Sequence, residues 1–326
     1  YKYLAIYISP ISNIHVDSPY YDVVLSKIKE ALISKEITVQ GIYEKRINDE
    51  KQLQYHFTNI YSAILAKIDG VPWTFKSDNP ENLIIGVGAY YSPRIGKRYI
   101  GCAFNFNGNG VFSEYSCTNE NTRDMLVKKI REAVVLYIHS NKTKNLCDND
   151  IKLPKMIVIH FYKKMSRKDW EPILKMLNEL KCDIPIVVVT INKTETKDIM
   201  AFDNEVADKM PLSGTYIKVD KNTYLVYNNA KYNQEEFNKN KGRKLYHYPI
   251  KIHLESNDAN VLKNKQNINE IIKQVHQLSR INWKTTDTQS LPITVTYPEY
   301  LARYIPYFTN DEIPNKQFSC HNLWFL

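Results

Sequence analysis

The sequence lacks several features that would assign it at once. No apolar run approaches the roughly 18 residues a membrane-spanning helix needs, and no segment has the layout of a secretory leader. The five cysteines, at 102, 117, 147, 182 and 320, are odd in number and form no CxxC pair. That argues against a disulfide framework and a structural zinc site, and it fits a reducing, cytoplasmic setting. No GxGxxG follows any predicted strand, so a dinucleotide-binding fingerprint is missing. There is no internal repeat, and the only polar, linker-like stretch is Ser140 to Asp150. The sequence opens at Tyr1 rather than Met and runs straight into strand-like Tyr3-Leu4-Ala5-Ile6-Tyr7-Ile8, which reads as a start inside a longer chain.

What is present is globular. The 326 residues suffice for one large domain or two modest ones, and 43% hydrophobic with 24% charged residues excludes a disordered chain. Lys and Arg number 44 against 35 Asp and Glu, a net charge of +9 that suits a polyanion partner. The 24 tyrosines offer stacking platforms for bases, or equally well amphipathic core and strand positions.

Periodicity gives an alternating α/β order. Residues 3–9 predict a strand, Tyr20 to Ser34 a helix with Val24, Ile28, Ala31 and Leu32 on its apolar side, and Thr38 to Tyr43 a second strand. A helix from Leu53 to Ile68 stops at Asp69-Gly70, with Pro72 beyond. This is a Rossmann-like parallel arrangement, which binds ligands where strand C-termini meet helix N-termini. A second unit starts near Val71. Leu83 to Val87 predicts a central strand, Arg98 to Asn107 and Val111 to Cys117 complete a meander, and a helix follows from about Glu120 to His139. Strands at Met156 to His160 and Ile186 to Thr190 flank a helix from Lys168 to Leu180. Three meander strands, then helix, strand, helix and strand, is the order of the ribonuclease H fold.

Particular segments carry a family resemblance. Leu65-Ala66-Lys67-Ile68-Asp69-Gly70-Val71-Pro72-Trp73 resembles the junction between the MID and PIWI domains of Argonaute proteins. Leu83-Ile84-Ile85-Gly86-Val87-Gly88 is similar to the first PIWI strand, and Met156 to Tyr162 to its central strand. Ile281-Asn282-Trp283, Leu291-Pro292 and Tyr297-Pro298-Glu299-Tyr300-Leu301-Ala302 are similar, in order, to the C-terminal PIWI signature. The resemblance covers nearly the whole chain and is greatest to the short prokaryotic Argonautes. It implies an α/β protein with a Rossmann-like MID domain at 1–70, incomplete at its N-terminus, and a ribonuclease H-like PIWI domain at 71–326.

The resemblance also implies where chemistry should sit. Slicing Argonautes hold two divalent metals on a carboxylate tetrad, because in-line phosphodiester hydrolysis needs both attacking and leaving oxygens stabilised. The first carboxylate belongs at Gly88 and the second at Phe161 or Tyr162; neither place holds an acid, and only Glu299 occupies a tetrad position. The mobile glutamate has no clear counterpart, with Asp124 and Glu120 nearest in sequence. One carboxylate cannot hold two metals, so an inactive nuclease is expected. An active one, using Glu299 with acids elsewhere, is the alternative within the same fold. A small-molecule binder is the alternative outside it.

A guide's 5′ phosphate would then be the remaining ligand, held by Gln40, Asn59, Lys67, Arg303 and the end of the chain at Leu326. The usual tyrosine–lysine pair is irregular: Tyr21 is followed by Lys27 and Lys29 with Leu at 25, and Lys27 is taken as the candidate. Ala63 stands where many members carry a glutamine that helps hold Mg²⁺ at the phosphate, so Mg²⁺ between the phosphate and the Leu326 carboxylate is in question. Lys163, Lys164 and Arg167 after the central strand, and Lys241, Arg243 and Lys244, are candidates for backbone contact, although charged runs of this kind also make ordinary solvated loops. The implied partners are a guide RNA, a complementary target DNA, and an effector protein with a PAZ-like region, of TIR, sirtuin or nuclease type, separate or fused.

Overall fold

A computed structural model describes residues 2–10, 19–93, 95–117, 123–142, 153–180, 183–191, 199–233 and 248–326. Strands β1 (Tyr3–Ser9) and β2 (Ile37–Tyr43) pair in parallel as a two-stranded sheet, with Tyr3 opposite Ile37 and Ser9 opposite Tyr43. Helix α1 (Pro19–Ile33) makes the crossover between them, and the short α2 (Glu44–Ile47) and long α3 (Glu50–Lys67) follow.

The face that α1 buries differs from the one periodicity predicts. Tyr21, Leu25, Ser26, Lys29 and Ile33 are buried, whereas Val24 and Ala31 are exposed. A lysine, Lys29, sits on the inner face one turn from both Leu25 and Ile33, and its charge masks the stripe that apolar spacing would reveal. Helix α3 ends in a left-handed residue, Asp69 at φ 65°, after which the Gly70 N–H donates to the Leu65 carbonyl at 2.8 Å. That closure satisfies two of the helix's terminal carbonyls and turns the chain out towards the second sheet.

The second sheet has eight strands in the order β5-β4-β3-β6-β7-β10-β9-β8. Strands β3 (Leu83–Ser92), β4 (Lys97–Asn107) and β5 (Phe112–Tyr115) form the antiparallel meander. Strand β6 (Ile157–Phe161) lies parallel to β3, and β7 (Ile186–Ile191) parallel to β6. Strands β8 (Tyr216–Asp220), β9 (Thr223–Val226) and β10 (Ile250–Ser256) add an antiparallel wing on β7. Helices α4 (Arg123–Lys142) and α5 (Arg167–Glu179) cover one face over Leu83, Ile85, Val87, Ile159 and Phe161. Helices α6 (Lys265–Leu278) and α7 (Ile293–Tyr304) cover the other. With both faces covered, the central strands can be buried along their whole length, as β7 is.

Residues that carried the resemblance meet in space. Trp283 donates its indole N–H to the Trp73 carbonyl at 2.9 Å, Trp73 donates to the Arg280 carbonyl at 3.1 Å, and the Trp283 N–H donates to the Tyr297 hydroxyl at 2.9 Å. The chain finishes with a four-residue helix, α8 (Lys316–Ser319), and the buried Trp324, Phe325 and Leu326. No helix among the described residues is long and apolar enough to cross a membrane.

Candidate functional site

A cavity of about 580 Å³ opens where the small sheet meets the large one. One wall comes from α1, the C-terminal end of β2, α2 and α3; the other from the loop at 284–289, α7, Tyr90 and Leu326. Tyr21, Gln40, Asn59, Arg303 and Leu326, all singled out from the sequence, line it together. Lys67 lies just behind, 1% exposed, donating to the Gln40 side-chain oxygen at 2.7 Å. Asn59 ties the walls to each other: its side-chain oxygen accepts from the Thr286 N–H at 2.8 Å and the Thr286 hydroxyl at 2.9 Å.

Lys27 is not part of this assembly. It projects from the outer side of α1 and pairs with Glu30 at 2.7 Å, one turn on. The lysine that α1 delivers is Lys29, because the inner face runs through 25, 29 and 33. Lys29 is 1% exposed. Its ammonium donates to the Trp324 carbonyl at 2.8 Å and the Tyr304 hydroxyl at 3.1 Å, and stands 4.3 Å from the Tyr304 ring centroid. Those acceptors and the ring face partly replace lost hydration, and none of the three is a carboxylate.

Two cations line the cavity that the sequence reading did not name. Lys284 follows directly after Ile281-Asn282-Trp283, so adjacency to a motif was the available signal; its ammonium lies 4.3 Å from the Tyr300 ring centroid. Arg46, from α2, stands 5.0 Å from the Tyr43 ring centroid and had no signal at all. Arg280 was also missed. Its guanidinium lies over the Tyr232 ring, 5.7 Å from the centroid, and is paired with the Tyr232 side chain.

The lining therefore carries Lys29, Arg46, Lys284 and Arg303 against the side-chain carboxylates of Asp22 and Asp287. Like charge in a desolvated space disfavours the protonated ammonium. Burial, then the neighbouring Lys67 and Lys284, holds Lys29 well below its ordinary value. Burial and Lys284 bring Lys67 down to about 7. Lys284 is exposed to solvent at the cavity, yet desolvation and Arg303, opposed by Asp22, bring it to about 8. Asp22 is raised by burial, in spite of Arg303 and Lys284. Arg303 is secured by Glu299, whose carboxylate accepts from it at 2.7 Å. The arrangement gathers four basic side chains around one hollow.

The expected nuclease positions look different. Gly88 lies against α7 so closely that a Cβ there would come within 2.5 Å of the Val295 carbonyl oxygen and 3.2 Å of the Glu299 N. Phe161 is buried in the layer on the opposite face of the sheet, under α4 and α5, and Tyr162 leans on it with ring centroids 5.0 Å apart. His160 is wholly buried, within 2.7 Å of the Thr294 hydroxyl at Nδ1, and burial lowers it to about 3, so the ring is neutral. Among the described residues no three His, Cys, Asp or Glu side chains lie close enough to share a metal ion.

Lys163 and Lys164 are exposed on the loop between β6 and α5, with the Lys163 ammonium 5.9 Å from the Phe161 ring centroid. Arg167 opens α5, its side chain outside what the structure describes, and Lys241, Arg243, Lys244 and Glu120 lie outside the described residues.

The sequence matches the Piwi domain family over residues 15–310. The chain belongs to that family. It is 23% identical over 360 aligned residues to a Piwi protein of Archaeoglobus fulgidus, covering 97% of this chain and 81% of that one. Among solved structures it is similar to Drosophila Piwi, with a TM-score of 0.71 at 14% identity, over 99% of this chain and 42% of that one. It is also similar to Clostridium butyricum Argonaute bound to a guide DNA and a 19-mer target DNA, with a TM-score of 0.61 at 20% identity over 96% and 39%. Marinitoga piezophila Argonaute in complex with a 5′-OH guide RNA gives 0.59 at 17% over 92% and 40%. The chain spans about two-fifths of each of these solved chains. The fold is that of an Argonaute MID–PIWI protein, with a ribonuclease H-like PIWI sheet.

Proposed function

We propose that this Piwi protein holds a short guide strand, RNA by preference, by its 5′ phosphate in the cavity between the two sheets, and pairs it with a complementary DNA target without cutting either. The observation that carries the reading is the 580 Å³ hollow with Lys29, Arg46, Lys284 and Arg303 on its walls and Lys67 behind Gln40. A terminal phosphate supplies the concentrated negative charge and the several acceptor oxygens that such a set lacks. Sequence specificity then resides in base pairing, while the protein reads phosphate and geometry.

The absence of cutting follows from the tetrad positions. Gly88 and Phe161 provide no carboxylate, Tyr162 supplies only a phenol, and Glu299 is committed to Arg303. Two-metal hydrolysis has no ligand set there. Pairing with target would instead report to an associated effector with a PAZ-like region, of TIR, sirtuin or nuclease type, in cytoplasmic prokaryotic defence, by shifting the complex between two states.

The test is binding of labelled 5′-phosphorylated and 5′-hydroxyl strands, each as RNA and DNA, with the complementary strand added afterwards. Preference for the phosphate followed by target capture without cleavage supports the proposal. Mg²⁺-dependent cutting abolished by Glu299→Ala establishes a nuclease instead. Equal, salt-sensitive binding to every strand sinks the guided reading.

A further inference from the structure

The chemistry of the cavity bears on how the phosphate is held, and the argument rests on the guide-binding reading above. Mg²⁺ at a guide phosphate needs oxygen donors in near-octahedral order. Few are free here. The Gln40 oxygen accepts from Lys67 at 2.7 Å, the Asn59 oxygen accepts twice from Thr286, and an Asp287 oxygen accepts from the Thr285 hydroxyl at 2.9 Å. Asp22 faces Arg303 and Lys284, and Ala63 contributes only a methyl to the wall. The oxygens that remain, on Asp22, Asp287 and Leu326, share the walls with Lys29, Arg46, Lys284 and Arg303, so the residues present fit a divalent cation poorly.

They fit a different counter-charge. Lys284 lines the same cavity as Arg303 and Lys29, carried by a loop that Asn59 pins to the opposite wall through Thr286. Its ammonium is held over the Tyr300 ring, at 4.3 Å, with solvent access. Lys29, Lys67, Asp22 and Arg303 all feel its charge, which makes it the common electrostatic neighbour of the site. We infer that this pocket takes the guide's 5′ phosphate through ammonium and guanidinium groups alone, with Lys284 supplying the positive charge that a divalent metal would otherwise provide. Lys284 is thus a specificity-determining residue for the terminal phosphate. It comes from the PIWI side, whereas Lys29 comes from the MID side, so the phosphate is clamped between the two sheets.

The experiment titrates the full chain with 5′-phosphorylated and 5′-hydroxyl guide RNA, in EDTA and in Mg²⁺, for the unaltered protein, Lys284→Ala and Lys284→Arg. The phosphorylated guide should bind within about twofold of the same affinity in either buffer. Lys284→Ala should lose about tenfold or more for the phosphorylated guide and little for the hydroxyl guide, and Lys284→Arg should keep most of the preference. A loss of tenfold or more in EDTA that Mg²⁺ or Mn²⁺ restores overturns the inference while leaving the guided reading intact. So does a Lys284→Ala variant that retains the full preference for phosphate. If the unaltered protein shows no preference for the phosphate in either buffer, the guide-binding reading itself fails. The EDTA comparison needs no variant, so it stands even where a substitution perturbs folding.

Discussion

Lys67 illustrates how one residue can oppose stability and serve binding at once. It is wholly buried, its ammonium donates to the Gln40 side-chain oxygen, and it is brought down to about 7. Unfolded, the same group titrates near its ordinary 10.5. Between these values the unfolded chain binds more protons than the folded one, so stability without nucleic acid should rise as pH increases from about 7 towards 10. Guide affinity should run the other way, falling above pH 8 as Lys67 and Lys284 lose the protons a phosphate needs. Lys67→Met should therefore raise Tm at pH 7, flatten its pH dependence, and weaken the phosphorylated guide by about tenfold. Thermal melts and titrations at pH 6.5, 7.5 and 8.5 check all three. A Tm that falls with pH in the unaltered, guide-free protein would contradict the assignment of the shift. Lys67, Gln40, Asn59 and Arg303 were legible in the sequence because motif spacing marks them. Lys29 was mislocated to Lys27 because a charge on the buried face hides the helix's true orientation.

Between β3 and α7 the deciding contact is backbone against backbone. Gly86 and Gly88 both face α7, and a Cβ at Gly86 would lie 2.2 Å from the Thr294 carbonyl oxygen. The glycines let the helix settle onto the sheet, and that docking carries Arg303, paired with Glu299, to the cavity wall. Position 88 thus lacks a carboxylate and also lacks the space for one. Gly88→Asp should give no cleavage with Mg²⁺ or Mn²⁺ and should cost about 1–3 kcal/mol or more from overpacking. Denaturant unfolding measures the cost; robust cutting of a guide-matched strand would refute the account of the site. The helix–strand order up to Thr190 was readable, since those strands are apolar runs bounded by turns. The antiparallel wing was not. Its edge strand β8 is mostly exposed and short, with Lys218 and Asp220 among few apolar residues, and it exists because β9 and β10 give it a partner.

On the scale of the whole molecule the cavity is a product of how the two sheets are joined. Polar ties cross between them, among them Lys29 to the Trp324 carbonyl, Asn59 to Thr286, and the Asn322 amide to the Lys67 carbonyl at 2.8 Å. Each partner lies more than 200 residues from the other in sequence, so no local pattern could have announced which walls face each other across the cavity. Trp324 anchors this seam. It is fully buried, donates to the Tyr115 hydroxyl at 2.8 Å, and packs its ring at tilted and edge-on angles among Tyr304, Phe308 and Phe325. Trp324→Ala should cost about 3–5 kcal/mol, as a large core truncation does anywhere. Its distinguishing effect should be on the ligand, because the shifted Trp324 carbonyl no longer fixes Lys29. Ile173→Ala, a buried position in α5 on the opposite face of the large sheet, supplies the comparison at a similar expected cost of about 2–5 kcal/mol. With both variants held well below their melting temperatures, the phosphorylated guide should bind Ile173→Ala normally and Trp324→Ala at least about tenfold more weakly. Saturating guide should also raise the Tm of Ile173→Ala by more, since ligand stabilisation grows with the ratio of concentration to Kd. Equal guide affinity in the two variants would mean that the C-terminal seam holds the sheets together without positioning the cations, and the cavity would have to form from the MID side alone.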